Sequence, residues 1–117
     1  MIRPDLVEVD ILIDKGADFD LVVEVEDIDL TGASAQMTGR ASWDAVTTVF
    51  DISTASGAIT IVGTATLSTI TCRLSNSVTA ALVAPQDGVW NLRYTTAGGD
   101  KKHPVRGRFY VQPRATT

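Results

Sequence analysis

Apolar and polar residues alternate with a period of two along almost the whole chain, which is the pattern of strands with one buried face. In the first run, "LVEVDILID", Val7, Val9, Ile11 and Ile13 share one face, while Glu8, Asp10 and Asp14 take the other. The turn Lys15-Gly16-Ala17-Asp18 leads into "FDLVVEVE", where Phe19, Leu21, Val23 and Val25 are the inward set. Asp20, Glu24 and Glu26 alternate with them and face water.

The stretch "DLTGASAQM" from Asp29 to Met37 reads either as a loop that binds something or as a corner between two strands. The corner reading is favoured, with Leu30-Thr31-Gly32 turning the chain and Gly32 taking a positive φ. A third strand follows, with Ala33, Ala35, Met37, Gly39 and Ala41 inward and Ser34, Gln36, Thr38 and Arg40 outward. "AVTTVFDIST" makes a fourth, with Val46, Phe50 and Ile52 inward, then "GAITIVGT" a fifth and "ATLSTITCRL" a sixth.

Only "LSNSVTAALVAPQDG" breaks the alternation. Ser75 is placed to cap a short helical turn near residues 76–83, with Val78, Ala81 and Leu82 at helical spacing and Pro85 and Gly88 as stops. "GVWNLRYTT" resumes the alternation with Trp90, Leu92 and Tyr94 inward. Gly98 and Gly99 then mark a hairpin turn. In the last strand, "HPVRGRFYVQ", Val105, Gly107, Phe109 and Val111 oppose Arg106, Arg108 and Tyr110, with Pro104 near the start. Eight short strands with turn signals between them predict an all-β sandwich or barrel.

The length, 117 residues, fits one domain around one core. Residues 1–117 are expected to form it, with residues 113–117 a frayed tail. No window holds the ~18 consecutive apolar residues of a membrane helix. The N-terminal "MIRPDLVEVD" is acidic where a secretion signal would be apolar, so a cytoplasmic origin and no membrane partner are expected. The lone cysteine, Cys72, has no internal disulfide partner and shares a strand face with Ile70 and Leu74. A buried, inert thiol is expected there.

Charge is distributed unevenly around a net −4. Ten acidic residues lie between Asp5 and Asp29 against Lys15 alone. Beyond Gly88, Arg93, Lys101, Lys102, Arg106, Arg108 and Arg114 face only Asp100. Such a chain either attracts copies of itself or a polar neighbour, or carries ordinary solvated strand faces. Its few basic residues and negative sum argue against nucleic acid.

Catalytic constellations are scarce. His103 is the sole histidine and would need Cys72 or a serine turned toward it. There is no Gly-x-Ser-x-Gly elbow, no glycine-rich phosphate loop and no closed zinc set. No enzymatic activity and no cofactor are expected. Asp18, Asp20, Asp27 and Asp29 are the candidate calcium ligands, provided neighbouring loop ends bring them together. Without an EF-hand loop, their bland role is to solvate strands and to discourage edge-to-edge pairing.

Arg106, Arg108 and Tyr110 form an outward stripe that Arg93 extends from the adjacent strand, and both residue types suit interfaces. Trp43 fits either an exposed anchor or a core plug. The first strand, with Leu6 and Leu12 outward, is a candidate for strand addition to a neighbour. On that reading, deletion of residues 1–14 leaves a folded protein that fails to assemble.

The order of these signals resembles short bacteriophage tail and baseplate-associated proteins, including the N-terminal domains of baseplate upper proteins. The resembling segments are "DFDLVVEVEDIDLTGASAQM", "VFDISTASGAITIVG", "TITCRLSNSVTAAL" and "GVWNLRYTTAGGDKKHPVRGRFYVQP", which together span Asp18 to Pro113. Trp90 stands where a tyrosine is more usual, and "MIRPDLVEVDILID" is less familiar. The resemblance implies an immunoglobulin-like antiparallel β-sandwich and a structural virion component without an active site. The implied partners are other virion proteins, met as a homo-oligomer or on a symmetric ring. A capsid decoration or neck protein, and a sandwich that binds carbohydrate or a host surface, are the alternatives.

Overall fold

The computed structural model describes residues 7–113. Nine strands and one short helix run in the order β1 (Val7–Glu8), β2 (Ile11–Asp14), β3 (Phe19–Glu26), β4 (Ser34–Arg40), β5 (Phe50–Ser53), β6 (Ile59–Gly63), β7 (Leu67–Leu74), α1 (Asn76–Ala80), β8 (Gln86–Thr95) and β9 (Lys101–Gln112). They build two sheets. The larger has the order β1-β9-β8-β4-β5 with β2 also on β9, and the smaller has the order β3-β7-β6. Leu6 and the tail from Arg114 lie outside the described residues.

Most of the inward set read from alternation lies in or against the core. Ile11, Ile13, Ala35, Met37, Phe50, Ile52, Trp90, Leu92, Tyr94, Val105, Phe109 and Val111 of the larger sheet meet Ile59, Ile70, Cys72 and Leu74 of the smaller one, with Leu30 of the corner and Leu82 beyond α1 in the same cluster. Phe50 and Phe109 pack edge to face, with ring centroids 5.2 Å apart, an arrangement the aromatic quadrupole favours.

The first predicted strand is broken in two and runs parallel to β9, pairing Val7 with Val105 and Ile11 with Phe109. The other pairings are antiparallel, so the expected all-antiparallel pairing is corrected at this edge. The break has a local cause. A Cβ on Gly107 would lie 1.9 Å from the Val9 carbonyl oxygen, so only glycine admits that carbonyl over β9. That carbonyl accepts the indole N–H of the fully buried Trp90 at 3.0 Å. Asp10 Oδ1 meanwhile accepts the Arg108 amide at 3.1 Å.

The pairing sets the first strand at an edge of the larger sheet, with one side already taken by β9. Ile11 and Ile13 are buried against the core, and the ladder partner of β2 is β9 of the same chain. Removing residues 1–14 would open the core as well as an edge.

The corner at Leu30-Thr31-Gly32 is part of the scaffold. Gly32 has φ +81°, and Leu30 is buried. Ser68 on β7 accepts the Leu30 amide at 2.8 Å and donates to the Ile28 carbonyl at 2.7 Å. At the other end of β3, Thr79 accepts the Gly16 amide at 3.1 Å and donates to the Ala17 carbonyl at 2.8 Å. Two buried hydroxyls thus pin the two turns that bracket β3.

Further corrections concern three segments. Val46 is 91% exposed, because β5 begins only at Phe50 and residues 41–49 form a loop. Ala41 is likewise exposed at the start of that loop. In α1, Thr79 is the buried residue while Val78 faces outward. Ser75 occupies the N-cap position without a side-chain cap bond, and Asp18 instead accepts the Asn76 amide at 2.7 Å. The hydroxyl of Thr79 is needed inside, and that rotates the turn away from the apolar spacing.

Candidate functional site

The outer face of the larger sheet carries the groups that the sequence singled out. Pleating sends Gln36, Thr38 and Arg40 of β4, Asn91 and Arg93 of β8, and Arg106, Arg108 and Tyr110 of β9 to this side. Register sets Arg93 across from Gln36, Asn91 between Thr38 and Arg106, and Leu12 across from Tyr110. All six described interface candidates, Leu12, Trp43, Arg93, Arg106, Arg108 and Tyr110, therefore share one surface.

Trp43 is exposed, 57% accessible, and is no core plug. Two arginines place it. Arg40 Nη1 donates to the Ala45 and Val46 carbonyls at 2.9 and 3.1 Å, folding the 41–49 loop back over β4. The Arg106 guanidinium carbon lies 5.5 Å from the Trp43 ring centroid, within cation–π range. Arg40 escaped the sequence reading because an outward arginine in a strand gives no sign of clamping a loop.

A concavity of about 360 Å3 opens beside this ring, lined by Gln36, Thr38, Arg40, Trp43, Val89, Asn91, Arg93 and His103. Among the described residues no carboxylate lines it directly, and Asp51 stands behind Gln36 and Thr38. A second of about 300 Å3 lies on the other side of the ring, between Glu8, Asp10, Arg106 and Arg108. The first has a preset polar floor. Arg93 donates to Gln36 Oε1 at 2.5 Å, and Gln36 Nε2 donates to Asp51 at 2.8 Å. Asn91 Nδ2 and His103 Nδ1 lie 3.2 Å apart. A bulge in β9, where His103 and Pro104 oppose Arg93 alone, sits at this rim and disturbs the local pleat.

The remaining ion pairs on this face are loose. Arg106 lies 3.6 Å from Glu8 and Arg108 3.9 Å from Asp87, all well exposed. Exposed pairs contribute ~0–1 kcal/mol, so these two add little to the stability of the sheet.

The four candidate calcium ligands are not brought together. Asp18 and Asp20 stand at the start of β3, where Arg73 reaches them at 2.9 and 3.3 Å. Asp27 and Asp29 lie past the far end of that strand, and Asp29 accepts the hydroxyl and amide of Thr31. Those two bonds hold its carboxyl below the usual carboxylate range. Among the described residues no group of three or more His, Cys, Asp or Glu is placed to hold a metal ion.

Nor do Cys72 and His103 approach each other. Cys72 is buried in the smaller sheet, and burial pushes its thiol up to about 12. His103 is exposed on the larger sheet's outer face. Among the described residues, no helix is long and apolar enough to cross a membrane.

No family model and no curated protein matches the chain. Among solved structures it is similar to a chicken TCR, with a TM-score of 0.55 and 11% identity over 95% of this chain and 56% of that one. The chain thus spans little more than half the length of that match. At this identity the likeness shows the fold alone, an immunoglobulin-like β-sandwich. Immunoglobulin domains of antibodies carry a disulfide between the sheets. Here Cys72 is the single cysteine, and apolar packing closes the sandwich.

Proposed function

We propose that this protein is a non-enzymatic structural component of a bacteriophage virion, in a tail, baseplate or fibre-associated assembly. It works there through protein–protein contacts made by the outer face of the larger sheet. The observation that carries this reading is the gathering of all six described interface candidates on that one face. An exposed tryptophan braced by arginine stands at its centre. Tryptophan, tyrosine and arginine are the residues that most often dominate binding energy at interfaces. The order of strand and turn motifs from Asp18 to Pro113, similar to phage tail and baseplate proteins, supplies the setting.

Fold alone licenses no function, so the test is made on particles. Virions purified by density gradient from the producing culture are examined by mass spectrometry. The chain is expected at a level stoichiometric with other structural proteins. Abundant protein in the lysate but none in the particles would overturn the virion reading.

A further inference from the structure

Among the described residues the sandwich has four sheet edges, and three of them carry acids. β1 and β2 hold Glu8 and Asp14, β5 holds Asp51, and β3 holds Asp20, Glu24 and Glu26. Charges on an edge discourage pairing with another chain. β6 has none, and no charged residue occurs from Ile52 to Cys72. Its hydrogen-bonding groups are also open on one side. The Arg73 amide donates to the Ala58 carbonyl and the Thr64 amide to the Leu67 carbonyl, each at 2.9 Å. Bonded pairs alternate along an antiparallel ladder. Thr60 and Val62 therefore turn their backbone groups to β7, while Ile59, Ile61 and Gly63 turn theirs to the open edge. Among the described residues those of Ile59 and Ile61 meet no partner there, and the Gly63 carbonyl meets only the Thr31 hydroxyl at 3.3 Å. Ile61 is only partly buried, and Val62 is 69% exposed.

We propose that β6 pairs with β6 of a second copy, antiparallel about a two-fold axis at Ile61, joining the two smaller sheets into one. An open row of backbone groups recognises an extended strand, and charge selects the same chain as its source. An identical neutral strand meets this edge without repulsion, whereas copies joined at β3 would crowd their acids. In the two-fold register the backbone groups of Ile61 bond their own counterparts, and Ile59 bonds Gly63 of the partner. Val62 then stands opposite the partner's Thr60, and the half-covered Ile61 side chains meet on the inner side. One carboxylate, Asp29, lies beside Gly63. The antiparallel arrangement puts its two copies at opposite ends of the joined strands. Asp51 faces away, toward Gln36 on the outer side of the larger sheet. The contact is isologous, so it closes as a dimer. It uses an edge of the smaller sheet and does not depend on the face proposed above for other partners.

The test uses the full chain in sedimentation velocity over concentrations up to about 1 mM. Wild type is expected to pass from monomer to dimer, with little change when salt is added. Amide exchange identifies the strand. Protection at Ile59 and Ile61 should rise with concentration, while Thr60 and Val62 stay protected throughout and the open edge of β3 does not respond. The double variants Thr60→Lys/Val62→Lys and Thr60→Glu/Val62→Glu set like charges opposite each other across the axis. Each should need ~10-fold or more protein to dimerise. Both should melt as folded proteins, since the altered side chains are exposed. Mixed, the two variants bring opposite charges together and should dimerise at least as well as wild type.

A wild type that stays monomeric over that range would overturn the proposal. So would a dimer that both folded variants keep, or a mixture of the two that remains monomeric. A dimer whose exchange slows at Ile59 and Ile61 no more than along β3 would put the contact elsewhere and overturn it as well. The exchange pattern needs no substitution, so it decides even where a variant fails to fold.

Discussion

The two sheets carry the same alternating pattern, yet they are held in different ways. In the larger sheet the inward residues of β4, β8 and β9 are sealed, with Met37, Trp90, Leu92 and Val111 fully buried. In the smaller sheet, β3 directs Phe19, Leu21, Val23 and Val25 inward, but each is only half-buried. β3 is the edge of a three-stranded layer, so it has a strand neighbour on one side only. Its ends are fixed instead by the hydroxyls of Ser68 and Thr79. Alternation tells which side of a strand faces the core, whereas the depth reached depends on how much of the opposite layer covers it.

Substitutions sharpen this contrast. The largest effect is expected from Trp90→Ala, which empties the centre of the larger sheet and leaves the Val9 carbonyl without its donor. A loss of ~3–5 kcal/mol should appear as a lower urea midpoint. If the loss were no larger than that of a β3 variant, the claimed difference between the sheets would be wrong.

Ser68→Ala comes next. It removes few packing atoms but strands the Leu30 amide and the Ile28 carbonyl, at a cost of ~1–3 kcal/mol. Hydrogen exchange at Leu30 should speed up more than exchange in β9. Uniform acceleration across both sheets would argue against a local pin.

Val23→Ala, on the half-covered row, should cost only ~1 kcal/mol. Equality with a matched truncation at fully buried Val111 would show that β3 is as well covered as the larger sheet.

The smallest effect is a pH dependence in the smaller sheet. The folded state holds Cys72 neutral, with its thiol raised to about 12, against ~8.5 in an unfolded chain. Its contribution is therefore fully present below ~8.5 and is lost as pH rises toward the folded value. Between about pH 8 and about pH 10, wild type should lose more stability than Cys72→Ala. Parallel losses would mean that the thiol is solvated, and it would then react with thiol reagents without unfolding.

The chemistry of the candidate face was legible in parts. Arg93, Arg106, Arg108 and Tyr110 could be set on one side because strand pleating is periodic and the hairpin between β8 and β9 is local in sequence. Trp43 could not be placed, since its position depends on Arg40 reaching the Ala45 and Val46 carbonyls, an interaction without a periodic signature. Val46 misled for the same reason, as its apolar side chain belongs to a loop that the clamp holds outside the core.

By itself the sequence determined most of the strands and of the inward set, the corner at Gly32 and the buried state of Cys72. Each follows from local sterics or from a two-residue period within one segment. Only the tertiary structure decided that the first strand joins β9 in parallel, broken where Gly107 admits the Val9 carbonyl. The same holds for the polar role of Ser68 and Thr79, and for the placing of Trp43 beside Arg106. These features depend on contacts between residues far apart in the chain, and no pattern within one segment encodes which distant backbone group a side chain will meet.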